Sequence, residues 1–151
     1  MSTLPAVVRS RAASSRLRDH VRRPVIYGAV VQAVTLLAFV GFASGMRPAV
    51  FVVGMTGPAV AAVLTVPDAG WVDAPLAGVL GGCVYLLSFL AYAAAVSARF
   101  EFVAATWVFA GYVATAITQA IMLLPAFVFF GLFVGGGIGY AKASWRRYGR
   151  R

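Results

Sequence analysis

Residues 102–141, FVAATWVFAGYVATAITQAIMLLPAFVFFGLFVGGGIGYA, run 40 positions without one charged side chain. As a single helix this stretch would reach about 60 Å at 1.5 Å per residue, twice the roughly 30 Å of a bilayer's hydrocarbon core. Pro125 divides it into two lengths, 102–124 and 126–140, that each nearly fit one crossing. The spacing therefore predicts a tight helical hairpin at Pro125. No polar turn residue accompanies that proline, so it is the least marked boundary in the chain.

Working outward, the same scarcity of charge holds from Pro24 to Ala143, where only Arg47, Asp68, Asp73, Arg99, Glu101 and Lys142 carry charge. With 62% apolar and 11% charged residues, the chain lies far from the soluble average of about 25% charged. The fold class that follows is all-α, a polytopic integral membrane bundle of five apolar helical segments, about four of them crossing. The segments are 24–46, 49–66, 74–97, 102–124 and 126–143, between a basic N-terminal tail at 1–23 and a basic C-terminal tail at 144–151. A cleavable leader is the competing reading of the first segment, since Arg22-Arg23-Pro24 imitates a twin-arginine start and Gly41-Phe42-Ala43 a cleavage site. The apolar run is too long for a signal core and further spans follow it, which favours an uncleaved anchor helix.

Arg47-Pro48 breaks the chain, and Gly54, Gly57 and Pro58 interrupt the second segment, which reads as a kinked span or as two half-helices that enter and return. Residues 67–73, with Asp68, Trp71 and Asp73, read as an interfacial turn. Two arginine-rich tails both prefer the cytoplasmic side, so complete crossings should be even in number. The favoured solution lets 49–66 return to the side it left. It places Arg99 with the tails and Asp68 and Asp73 opposite. The rival makes 102–143 one kinked crossing and also yields an even count.

Small residues recur at fourfold spacing: Gly131, Gly135 and Gly139 on the last segment, and Ala74, Gly78 and Gly82 on the third. Lipid supplies little hydrophobic drive between helices, so smooth faces that let backbones approach are read as packing surfaces, within the chain or between chains, with a pore or substrate path as the remaining alternative. Gln32 and Gln119 are the clearest mid-span polar side chains, suited to interhelical hydrogen bonds or, alternatively, to lining a polar path. An offset of 50 residues aligns Gly28–Phe39 with Gly78–Phe89, repeating Gly28, Val34, Leu36, Leu37 and Phe39. Repeats with glycine- or proline-interrupted segments also occur in transporters.

Catalysis needs convergent polar groups, and this sequence offers one histidine, His20, in the basic tail, and one cysteine, Cys83, within an apolar segment. Asp68, Asp73 and Glu101 fall near the expected membrane surfaces, with no second acid or histidine at helical spacing. The glycine run at 131–139 lacks the lysine and hydroxyl of a phosphate loop. The expectation is a non-enzymatic protein with no cofactor and no metal. The arginines of the tails, Arg9, Arg11, Arg16, Arg18, Arg22 and Arg23 and then Arg146, Arg147, Arg150 and Arg151, flank apolar spans instead of covering a folded face, which argues against nucleic acid and for anionic lipid headgroups as partners. Self-association or association with other membrane proteins through the glycine faces completes the partner expectation.

The pieces FVVGMTGPAVAAVL (51–64), LAGVLGGCVYLLSF (76–89) and FFGLFVGGGIGY (129–140), followed by a basic tail, resemble a family of small, uncharacterised haloarchaeal membrane proteins with four spans. The resemblance covers most of residues 24–147 and departs at Pro58, in the long basic N-terminal tail and in the missing polar loop before Pro125. It implies a four-span fold and no particular activity. The leading functional expectation is a structural, scaffolding or accessory membrane subunit, with a small channel or transporter, as an oligomer, as the alternative.

Overall fold

The computed structural model describes residues 23–40, 49–66 and 68–148, and every regular element among them is helical. Helix α1 spans Arg23–Val40. It is followed by α2 (Ala49–Gly54), α3 (Thr56–Leu64), α4 (Gly70–Ser97) and α5 (Phe102–Tyr148). Three of these, α1, α4 and α5, are long and apolar enough to cross a membrane, and α2–α3 form a shorter apolar leg. Most of the N-terminal tail with His20, the Gly41–Ala43 site, the Arg47-Pro48 break and Arg150 and Arg151 lie outside the described residues.

The break between α2 and α3 has a local cause. Pro58 has no N–H to offer the carbonyl of Gly54, so the ladder is interrupted there and resumes when Ala59 N–H donates to Met55 O at 3.0 Å. The interruption does not turn the chain back. Gly28 of α1 lies against Gly57 and Ala61 of α3 and against Ala77 of α4, while Gln32, one turn later, lies between Gly57 and Gly81. Thr35 then hydrogen-bonds Thr56 at 2.9 Å. As α1 advances, its partners on α3 recede in number and those on α4 advance, so α3 runs antiparallel to α1 and α4 runs parallel to it. The chain therefore passes up α1, down α2–α3, up α4 and down α5, and the expectation that 49–66 enters and returns is corrected. The two halves of the 50-residue repeat lie side by side, in parallel.

The hairpin expected at Pro125 is also absent. Helix α5 continues through Pro125 for 47 residues, about 70 Å at 1.5 Å per residue. Proline in a helix interior costs about 3 kcal/mol through its missing donor and its ring. A turn here would cost more, because Leu123, Leu124, Ala126 and Phe127 offer no polar group to the several backbone donors and acceptors that an apolar turn would strand. Leu123 and Phe127, on either side of the proline, are instead buried in one cluster with Leu36 and Tyr85. The even count of passes thus arises from a single C-terminal helix that runs through Pro125.

Helix α4 begins at Gly70, earlier than the expected position 74, and takes Trp71 and Asp73 into its first turn. Likewise α5 extends to Tyr148, so most of the expected C-terminal tail is helical. The turn between α4 and α5, at residues 98–101, falls where the Arg99 and Glu101 charges mark it. One end of the bundle gathers Arg23, Asp68, Asp73, Lys142, Arg146 and Arg147; the other holds Arg99 and Glu101. Asp68 and Asp73 are therefore at the same end as Arg23, Arg146 and Arg147, and Arg99 is at the opposite end, the reverse of the arrangement expected from charge alone.

Candidate functional site

The two small-residue stripes face each other across the α4–α5 contact. A Cβ added to Gly135 would collide with the carbonyl of Gly70 and lie 2.9 Å from the Cβ of Ala74; one added to Gly131 would lie 2.6 Å from Cα of Pro75. From the other side, a Cβ on Gly78 would stand 3.2 Å from Phe127 O and one on Gly82 3.0 Å from Leu124. Ala74, Gly78, Gly82, Gly131, Gly135 and Gly139 are all buried. Helices this close exclude solvent and lipid from between them, and the space they would otherwise leave is taken by backbone.

Gln32 and Gln119 are not brought together. Gln32 is completely buried, and neither its Oε1 nor its Nε2 has a hydrogen-bond partner. A Cβ on Gly57 would sit 2.5 Å from the Gln32 Cβ, and one on Gly81 2.8 Å from it, so two glycine backbones from α3 and α4 close over this side chain. Gln119 lies on α5 and accepts a hydrogen bond from the Tyr85 hydroxyl at 3.3 Å. Tyr85, Phe89 and Tyr112 continue from there as a row of rings, with Phe89 and Tyr112 edge to face at 5.7 Å.

The most polar constellation is one that the sequence reading did not assemble. At the end that carries the basic residues, the Lys142 ammonium donates to the carbonyls of Ala62, Val63 and Thr65 at 2.8, 2.6 and 2.9 Å. These are carbonyls of the last turn of α3 and its C-cap, which have no partner further along their own helix. A cation there also meets the negative end of the helix dipole. Thr65 links the lysine to a buried acid: its hydroxyl donates to Asp73 Oδ2, while Asp73 itself is fully buried and its Oδ1 has no partner. Residues from the end of α3, the first turn of α4 and the last quarter of α5 are thereby tied at one point.

Residue type makes this arrangement intelligible. Lys142 is the only lysine beside twelve arginines. Three converging carbonyls match the three donors of a compact ammonium, whereas the planar guanidinium fork matches carboxylates and phosphates. The lone lysine was the one available signal in the sequence; Asp73, placed in a surface turn by its neighbours Gly70 and Trp71, gave none. Among the described residues no group of three or more histidine, cysteine or acidic side chains comes together, and Cys83 is a free, half-buried thiol.

Compared with protein-family models, with curated proteins and with solved structures, the chain finds no match.

Proposed function

We propose that this chain is a non-enzymatic integral membrane protein whose role is to pack, as a scaffolding or accessory subunit, through smooth glycine-lined helix faces. The observation that carries the reading is the closure of Gly57 and Gly81 over Gln32, which fills the interhelical space where a polar path would have to run. The exposed apolar residues of the outer α5 face, among them Phe102, Trp107, Ile121 and Met122, suit lipid or a neighbouring membrane helix. Arg23, Arg146 and Arg147 at one end favour that end, and with it both termini, on the cytoplasmic side near anionic headgroups.

A small channel or transporter is the second reading, favoured by the unpartnered Gln32 amide beside the Met55 break. Flux of several ions and small solutes in liposomes separates the two. The packing role expects no flux above empty vesicles, and flux that Gln32→Met abolishes would replace it with transport. Single cysteines at Asp68 and Glu101, introduced into a Cys83→Ser background, should label from opposite faces, with position 68 on the cytoplasmic one.

A further inference from the structure

Gly70, the first residue of α4, packs against Gly135, so α5 outruns α4 through residues 136–148, about 20 Å at 1.5 Å per residue. Where the two helices part lies an open groove of about 510 Å³. Gly135, Gly136, Gly139, Tyr140 and Ala143 line it from α5 and Trp71 from α4. It opens outward, since Trp71, Gly136 and Tyr140 are all exposed. A Cβ on Gly136 would meet nothing within 4 Å, so the missing side chain is what keeps the groove free.

Different chemistry continues this face of α5 on either side of the groove. Leu132, Phe129 and Val128 precede Gly136 by four, seven and eight residues, and all three are exposed and apolar. Arg146 and Arg147 follow Ala143 by three and four residues and are exposed as well. Helical side chains lean toward the N-terminus of their helix, which for these arginines is back toward the groove. Along the helix the order is therefore apolar track, groove, guanidinium pair. From Phe129 to Gly139 the rise is about 15 Å, half of the roughly 30 Å hydrocarbon core, so the track matches the depth of one leaflet. Asp68 also lines the groove and is exposed, and since charge stays near water this sets the groove at the headgroup boundary. Its negative charge disfavours an anion at groove level and leaves that place to the arginines beyond.

We infer that this face seats one anionic phospholipid, its phosphate at Arg146 and Arg147, its glycerol backbone over Gly136 and Gly139, and an acyl chain along Leu132, Phe129 and Val128. In such a lipid the glycerol lies between phosphate and acyl chain, which is the order of the three surfaces on α5. The guanidinium fork suits phosphate oxygens. A zwitterionic lipid would add an ammonium beyond the phosphate, at an end where Arg23, Arg146 and Arg147 are exposed against one exposed acid among the described residues. Free phosphate would satisfy the arginines and leave the groove and the apolar track unused. The inference rests on, and makes specific, the reading of the chain as a membrane protein with anionic headgroups at this end.

The full chain, purified in detergent with equimolar phosphatidylglycerol and phosphatidylcholine of matched acyl chains, should retain one phosphatidylglycerol about tenfold over phosphatidylcholine in native mass spectra. Arg146→Gln combined with Arg147→Gln should abolish that preference. Gly136→Leu, which fills the groove without meeting a neighbour, should lower phosphatidylglycerol retention about tenfold. Gly137→Leu is its control: a Cβ there also meets nothing within 4 Å, but Gly137 does not line the groove, so retention should stay unchanged. Equal loss in the two glycine variants, equal retention of both lipids, a preference untouched by the arginine pair, or displacement of the lipid by millimolar inorganic phosphate would each overturn the inference. So would release of a second copy of the chain, in place of lipid, by Gly136→Leu. Flotation with phosphatidylcholine vesicles tests the membrane reading by itself: a chain that floats without the preference loses the lipid seat alone, and one that fails to float loses both.

Discussion

The two halves of the α4–α5 hairpin are written in the same apolar alphabet and are packed in opposite ways. Toward the basic end, α5 buries Leu123, Phe127, Gly131, Gly135 and Gly139, one residue in every four, against α4 and the shorter helices. Toward the 98–101 turn, no residue from Phe102 to Thr115 is buried, and α4 contributes only Ala93 and Ser97 beyond Tyr85. Hydropathy does not distinguish the halves. What distinguishes them is the number of neighbouring helices and whether small residues let those neighbours approach.

That contrast can be broken by substituting glycines in each half. Gly135→Leu should have the largest effect, a loss of about 3 kcal/mol or more, because the atoms its Cβ would meet belong to the Gly70 backbone and cannot rotate away. Reversible unfolding in mixed micelles would measure it, and a harmless Gly135→Leu would sink the packing role assigned to the stripe. Lys142→Ala comes next, with about 2 kcal/mol lost as three carbonyls lose a charged donor. Lys142→Arg should not restore it, since a planar fork cannot meet all three; full rescue by arginine would mean that charge alone holds α5 to α3.

Smaller effects sharpen the comparison. Gln32→Met removes two buried polar atoms that have no partner and should stabilise the protein by about 1 kcal/mol, measured in the same unfolding assay. Marked destabilisation would show that the amide is bonded in solution. Gly111→Ala, in the open half where a Cβ meets nothing within 4 Å, should stabilise by about 0.5–1 kcal/mol through helix propensity alone. A loss there would show that the outer half of α5 is covered by a partner.

The elements were legible to unequal degrees. The α4–α5 boundary could be read because Arg99 and Glu101 mark it and no helix crossing an apolar layer would choose to bury both. The proline at 125 was misleading because its missing N–H is a local cost, while the alternative turn carries a cost that only its apolar neighbours reveal. The small-residue positions could be singled out by their fourfold spacing, yet spacing does not say which helix they meet. Gln32 and Gln119 looked alike in sequence and differ in place: one is sealed by two glycines, the other bonds a tyrosine. The Thr65–Asp73–Lys142 link joins residues up to 77 positions apart. Its only trace in the chain was a single lysine among arginines.

By itself the sequence determined that this is an all-helical chain of apolar segments with its positive charge gathered at the ends, because a backbone out of water must satisfy its own donors and acceptors and charge must remain near water. Tertiary structure decided how many times the chain passes, which end Asp68 and Asp73 share, and which glycines touch. Those outcomes depend on which backbone approaches which, and in a chain so uniformly apolar, contact distance distinguishes the faces where hydropathy cannot.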